Sequence, residues 1–469
     1  MEPIELADRL GRWSAGRGPL YLLLAGRVRA LIEDGELAPD TPLPPDRALA
    51  AALAVGRGTV VAAYDLLSAE GRVVRRQGSG TRVAGSPVVA RPATTRSPAF
   101  LHLLEPDADV IALACAAPQA PPPEVVDAYR AALPRLAELD GDIGYHPSGI
   151  PLLRTAIAER YRARGVPTGP ERILVTGGGQ HALSLLARAL LRPGDRVLVE
   201  TPTYPGALEA FRDAAAIPVA RPIGLGAISG AALAYVVATH HNPTGAVLPP
   251  LARRALVESA ARAGVPLLDD EVLAELTFPG TDSPPAPLAA FGDEVVSIGS
   301  LSKILWGGLR IGWIRAPAAL IARLSRLRAV HDLGGNIPAQ LAAAALLPDL
   351  DRLRNRITRD RKDSHDLLVT ELAARLPEWD VPRVTGGQTL WIRLPHGDGT
   401  SFAQRALRHG VAILPGCGLD PSGGHADHIR ISFVAAPHTL REAARRLAEA
   451  WQAYDPPLRP TPGPPPLAV

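Results

Sequence analysis

Residues 299–313 read GSLSKILWGGLRIGW. The stretch holds Lys303, one of only two lysines in a chain whose Lys and Arg together number 50; the other, Lys362, stands in RDRKDS. A chain that writes nearly every cation as arginine has kept a lysine here. Arginine stays protonated, whereas a lysine amine can lose its proton in a suitable pocket and attack a carbonyl. Lys303 is therefore a candidate Schiff-base lysine, set against the plainer alternative of a surface cation. Its neighbours decide.

Short β-branched runs alternate with helical stretches around it. RILV (172–175), RVLVE (196–200), LAYVVAT (233–239) and VPLLDD (265–270) are strand-like. HALSLLARALL (181–191), GALEAFRDAA (206–215) and PLARRALVESAARAG (250–264) are helix-like. That alternation, over about residues 109–453, predicts an α/β domain with a mostly parallel sheet covered by helices. ILVTGGGQHAL (173–183) then reads as strand, glycine run, helix. N–H groups at a helix start bind anions, and glycines let a phosphate come close. Gly177, Gly179 and Ala182 also satisfy G-x-G-x-x-A, with Glu200 about 20 residues on, as a dinucleotide site has it. Locally the nicotinamide reading stays open.

The rest of the zone favours another cofactor. HNPTG (241–245) follows one strand, and LLDD (267–270) ends another, which puts a carboxylate where open α/β sheets bind ligands. Lys303 follows, with Ser300 and Ser302 before it and Arg310 after it. A phosphate cradle, an asparagine, a carboxylate and a lysine are what pyridoxal phosphate needs. In this order they resemble a fold-type I aminotransferase over nearly the whole zone. The resemblance implies Lys303 as the Schiff-base lysine and Asp270 as the partner of the pyridine nitrogen. It implies Asn242 on the ring hydroxyl, Tyr204 stacked on the ring, and Gly178, Gly179, Gln180, Ser300 and Arg310 around the phosphate. Tyr145 in GYHPSG matches a tyrosine that reaches the neighbouring subunit's phosphate, which implies a homodimer. Arg430 in HIRISF matches the arginine that grips a substrate carboxylate. One departure is clear: relatives often place a tyrosine two or three residues after the aspartate, and this chain has Val272 and Leu273.

Residues 1–84 differ in kind. PLYLLLAGRVRALIEDG (19–35), LPPDRALAAALAV (43–55) and GRGTVVAAYDLLSAEG (56–71) are three helical runs, and VVRRQGSGTRVA (73–84) is two strands around a turn. Four arginines and no acid lie between Arg72 and Arg82. Three helices and a basic hairpin outline a winged helix-turn-helix, whose third helix enters the major groove; the helices would also suit an oligomerisation cap. The segment resembles the DNA-binding domain of GntR-family regulators. That resemblance implies DNA contacts from Arg47, Arg57, Thr59, Arg75 and Arg76, with Gly78 shaping the wing. Gly56 and Gly58 replace polar residues common there, and Gly58 weakens the helix start.

Residues 85–108 are rich in Pro, Ser, Thr and Ala and read as a linker, and 454–469 as a Pro-rich disordered tail. The whole order resembles the MocR subfamily of GntR regulators. It implies a double-stranded operator, an amino compound or pyridoxal phosphate itself as effector, sensed through an aldimine at Lys303, and a dimer with a head-to-tail arrangement open to it. The alternative is a working aminotransferase that carries a winged helix. Net charge is only +3, so local charge matters more than the total. No apolar run approaches the ~20 residues of a membrane span, and no signal peptide opens the chain. Cys115 and Cys417 form neither a disulfide framework nor a metal spacing, and a reducing, cytoplasmic setting is expected.

Overall fold

A computed structural model describes residues 1–14, 18–76, 80–84 and 109–456. The linker 85–108, the wing turn 77–79 with Gly78, and 457–469 lie outside the described residues.

The N-terminal module has four helices: α1 (Pro3–Leu10), α2 (Leu20–Glu33), α3 (Asp46–Ala52) and α4 (Arg57–Ala69). Its small antiparallel sheet has the order β1 (Pro42–Leu43), β3 (Gly80–Val83), β2 (Val73–Arg76). Leu24, Val28 and Leu31 of α2 meet Leu49 of α3 and Val60, Tyr64 and Leu67 of α4 in one buried cluster. That is the helical spacing the sequence predicts. Helix α1 was not foreseen. Leu6, Ala7 and Leu10 bury one face of it in the same cluster.

The large subdomain holds β5 (Ile173–Thr176), β6 (Arg196–Glu200), β7 (Ile217–Arg221), β8 (Leu233–Val236), β9 (Leu267–Asp270), β10 (Val296–Ser300) and β11 (Gly312–Arg315). They pair in the order β5-β11-β10-β9-β8-β6-β7. Only β11 runs against its neighbours, β10 and β5. Successive side chains leave opposite faces of a strand. Thus Ile173 and Val175 enter one hydrophobic layer while Leu174 enters the other. The first layer includes α5 (Pro123–Leu136), α6 (Pro151–Ala163), α9 (Pro250–Ala263) and α11 (Ile337–Leu346); the second includes α7 (Gly179–Leu190), α8 (Pro205–Asp213) and α10 (Ala318–His331).

Helix α12 (Leu350–Arg375) links the two halves of the domain. Leu350 and Leu353 pack in the large core, and Leu368, Val369 and Leu372 in the small one. The small subdomain carries the antiparallel strands β12 (Thr389–Arg393), β15 (His428–Ser432) and β14 (Leu414–Pro415), with α13 (Gly399–Arg408) and α14 (Pro437–Gln452). Strand β13 (Val411–Ala412) pairs with β4 (Ile111–Ala112) and ties in the start of the domain. Tyr454, which the sequence assigns to the tail, is buried with Trp451, and its hydroxyl meets Ser401 Oγ at 2.6 Å.

The N-terminal module rests on α13. Trp13 Nε1 donates to Gln404 Oε1 at 3.1 Å. Arg408 donates to the carbonyls of Leu53 and Ala54 at 2.9 and 2.6 Å, just past the end of α3. A helix end leaves carbonyls without intrahelical partners, and a guanidinium satisfies two at once.

Candidate functional site

The predicted site residues converge at the carboxyl ends of the sheet. Asp270 ends β9, Lys303 lies just beyond β10, Asn242 follows β8, Tyr204 follows β6, Gly178 lies between β5 and α7, and Gly179 begins α7. Lys303 Nζ donates to the Ala116 carbonyl at 2.7 Å. Burial holds its pKa below the usual lysine range; the Cys115 thiol opposes that, while Arg430 and Arg361 add to it. An amine so placed loses its proton more readily than a surface lysine.

Asp270 is buried, which pushes its pKa up; hydrogen bonds counter the rise. Tyr235 donates its hydroxyl to Oδ2 at 2.8 Å and the Val272 N–H donates to Oδ1 at 3.1 Å. Val272 faces Gly179: a Cβ on that glycine would stand 3.1 Å from the Val272 Cγ2. Arg430 projects from β15 and is buried. It donates to Asn242 Oδ1 at 3.1 Å and to the Ala114 carbonyl at 2.5 Å, and its Nε is buried without a partner. Burial lowers its pKa to about 10.

The glycine loop is shaped by close approach. Gly178 has φ +106°, and a Cβ there would stand 3.2 Å from the Arg310 guanidinium. A Cβ on Gly312 would stand 2.7 Å from the Gly178 carbonyl carbon. Arg310, itself left-handed at φ +53°, donates to the Gly177 carbonyl. Gln180 donates to the Gly206 carbonyl at 2.8 Å and accepts from the Tyr204 hydroxyl at 3.1 Å. Burial pushes the Tyr204 phenol up to about 12. Ser300 Oγ accepts from the Ser302 N–H at 3.1 Å. The dinucleotide alternative needs Glu200 free at its strand end. Glu200 is fully buried and accepts from the Gly224 and Val237 amides, both at 2.8 Å, so it serves the fold.

Tyr145 does not join this cluster within one chain; it is exposed. In the N-terminal module Arg47 and Arg57 are exposed and Thr59 half-buried at the start of α4. Arg75 is engaged internally. It pairs with Asp46 at 2.9 Å and with Asp65, and lies over the Tyr64 ring. Those pairs compete with any phosphate. Arg76 ends β2. Sequence reasoning missed Tyr235, Arg361 and the 114–116 segment. Tyr235 carried a faint signal, as the one side chain with a hydroxyl donor inside the buried run LAYVV.

Comparison with known proteins agrees with this geometry. Residues 109–447 match the family aminotransferase class I and II, and residues 20–83 match bacterial regulatory proteins of the gntR family. A protein of Rhizobium meliloti named "Probable rhizopine catabolism regulatory protein MocR" is 30% identical, over 93% of this chain and 94% of its own. The chain belongs to the MocR subfamily of GntR-family regulators. Its aminotransferase-class domain is also 36% identical to the arginine–pyruvate transaminase AruH of Pseudomonas aeruginosa, over 63% of this chain and 79% of that one. Among solved structures, a multiple substrate aminotransferase from Thermococcus profundus superposes with a TM-score of 0.67 at 28% identity, covering 76% of this chain and 94% of that one.

This MocR-type regulator thus binds DNA through its N-terminal module, and the cofactor of its second domain is pyridoxal phosphate. The side chains present fit that molecule. They offer a half-buried amine, a buried carboxyl held by two donors, and a left-handed glycine against a guanidinium. Among the described residues no single helix is long and apolar enough to cross a membrane.

Proposed function

We propose that the aminotransferase-class domain of this transcriptional regulator is a sensor: an amino compound, or the vitamer itself, is read at Lys303, and the reading is passed to the winged helix. The observation that carries this is the shared subdomain. Arg430 and the helix that clasps the DNA-binding module, α13, belong to one small subdomain. A ligand that alters how that subdomain sits alters the platform of the winged helix.

When bound, pyridoxal phosphate supplies an aldehyde for an amine to hold and a ring that draws electrons. The chain's residues do the rest. Lys303 would hold the group through its amine, Asp270 would keep a proton on the ring nitrogen, Asn242 would bond the ring hydroxyl, and Tyr204 would lie against the ring. The N–H groups of Gly178, Gly179 and Gln180, with Ser300 and Arg310, receive the phosphate. Arg430 presents a planar fork to the effector's carboxylate. Tyr145, exposed in one chain, would serve a neighbour's site in a homodimer. Arg47, Arg57 and Thr59 face the operator, with Arg75 and Arg76 at the wing. Such a ligand regulates only through unequal affinity for two states.

A second reading, a working aminotransferase with an auxiliary winged helix, is favoured by the near-complete set of reactive groups and by the 36% identity to a transaminase. Anisotropy on DNA from upstream of the gene, with and without pyridoxal phosphate and amino acids, separates the two. Tight, competitor-resistant binding that responds to ligand, and a Lys303→Ala protein that binds DNA without responding, are expected. An unaltered response in Lys303→Ala would overturn the sensor reading. Steady keto-acid production would favour the enzyme.

A further inference from the structure

We propose that Arg361 is the specificity residue of this effector site and that it selects an amino acid carrying a second acidic group. The proposal rests on the sensor reading above and gives that site its ligand class.

A cavity of about 330 Å³ is lined by Ile304, Leu305, Arg361, Ser364 and the segments 118–122 and 434–436. Three of its walls lie next in the chain to contacts already described, and α12 supplies the fourth. Residues 118–122 follow Ala116, which accepts from Lys303. Ile304 and Leu305 follow Lys303 itself. Residues 434–436 follow β15, which carries Arg430. Lys303 and Arg430 do not themselves line the cavity, but it reaches the chain immediately after Lys303, and its size suits a small ligand.

Arg361 enters it from α12. It is half-buried and has no hydrogen-bond or ion-pair partner among the described residues. Several other arginines of the same helix are paired: Arg354 with Glu275, Arg356 with Glu124, Arg375 with Glu371; Arg359 has no partner among the described residues but is exposed. Half-buried, the Arg361 guanidinium gives up part of its water without an acceptor in return, which is costly. An anion supplied from outside removes that cost. Burial lowers the pKa of Arg361 to about 10. Its charge also reaches Lys303, where its influence outranks that of Asp270. Asp360 lines the cavity too, but it is exposed, where water and salt screen it.

The amine, Arg430 and Arg361 thus offer three anchoring points. An amino group goes to Lys303, one carboxylate to Arg430, and a distal acid to Arg361. Charge-assisted, forked pairing discriminates an acid from its amide, because the amide offers one neutral acceptor where the acid offers two charged ones.

The test is a titration of the cofactor-loaded protein, read by its visible absorbance. The probes are L-glutamate, L-aspartate, L-glutamine and L-asparagine. At least one acid is expected to bind about tenfold tighter than its amide. Arg361→Gln brings acid and amide within about twofold of each other, and Arg361→Lys restores part of the preference, since it keeps charge but loses the fork. Acids bound no tighter than amides, or a preference that survives Arg361→Gln, would overturn the proposal while leaving the sensor reading intact. No spectral response to any of the four probes would also overturn the proposal, while the sensor reading would stand or fall on the DNA-binding response to pyridoxal phosphate and to Lys303→Ala.

Discussion

Tyr235, from β8, donates its hydroxyl to the Asp270 carboxyl. The tyrosine that the family resemblance leads one to expect two or three residues after that aspartate is absent, the positions being Val272 and Leu273. Tyr235→Phe keeps the ring and its edge contact with Phe211 but removes the donor. Because that bond lowers the pKa of Asp270, losing it raises the carboxyl further. Cofactor affinity is expected to fall about tenfold, and the acid limb of cofactor retention to move to higher pH; spectral titrations of the two proteins check this. His240 offers a second test. It is buried beside Thr277, and burial lowers its pKa from 6.5 to about 4. Between those values the unfolded chain holds more protons, so stability falls as pH drops through the window, by up to about 3 kcal/mol. Urea unfolding of the apoprotein at pH 7 and pH 4 measures the loss, which His240→Asn is expected to reduce.

Helices α3 and α13 meet through one arginine. Arg408 closes the carbonyl end of α3, the helix that precedes the recognition helix. In Arg408→Ala those carbonyls lose their donor and the module its clasp on the small subdomain. Hydrogen exchange at the amides of Ala54 and Val55, which bond back to Ala51 and Ala50, is expected to quicken about tenfold. Unchanged exchange would show that the clasp contributes nothing to holding α3. The sheet supplies the other lesson at this scale. Its strands were legible as buried β-branched runs, but the reversal of β11 was not, because GWIR reads the same in either direction. Helix α1 did carry a helical signal, with Leu6, Ala7 and Leu10 on one face behind a proline in the first turn, but it is only eight residues long and does not figure among the helices read from the sequence.

For the whole molecule, the division of labour makes a double prediction. Arg57→Ala is expected to weaken operator binding by about tenfold or more and to leave the cofactor's absorbance unchanged. Lys303→Ala is expected to abolish the cofactor's visible signature and the ligand response while the protein still binds DNA. Anisotropy and absorbance on both variants decide it; a spectral change in Arg57→Ala with normal DNA affinity would count against separate duties for the two domains.

The sequence by itself determined the two domains, the pyridoxal phosphate constellation and the order of its parts. Each of those is carried by local signals: a rare lysine at 303, a carboxylate at a strand end, glycines before a helix, an arginine in HIRISF. Tertiary structure alone decided which groups face one another across sequence distance. Glu200 looked free for a ribose until the fold buried it against two amides. Arg75, read from sequence only as a wing cation, also pairs with Asp46 and Asp65 from α3 and α4. Tyr235, Arg361 and Arg408 carried no motif, because the work of each depends on a partner or cavity tens to hundreds of residues away, and burial and electrostatics act through space rather than along the chain.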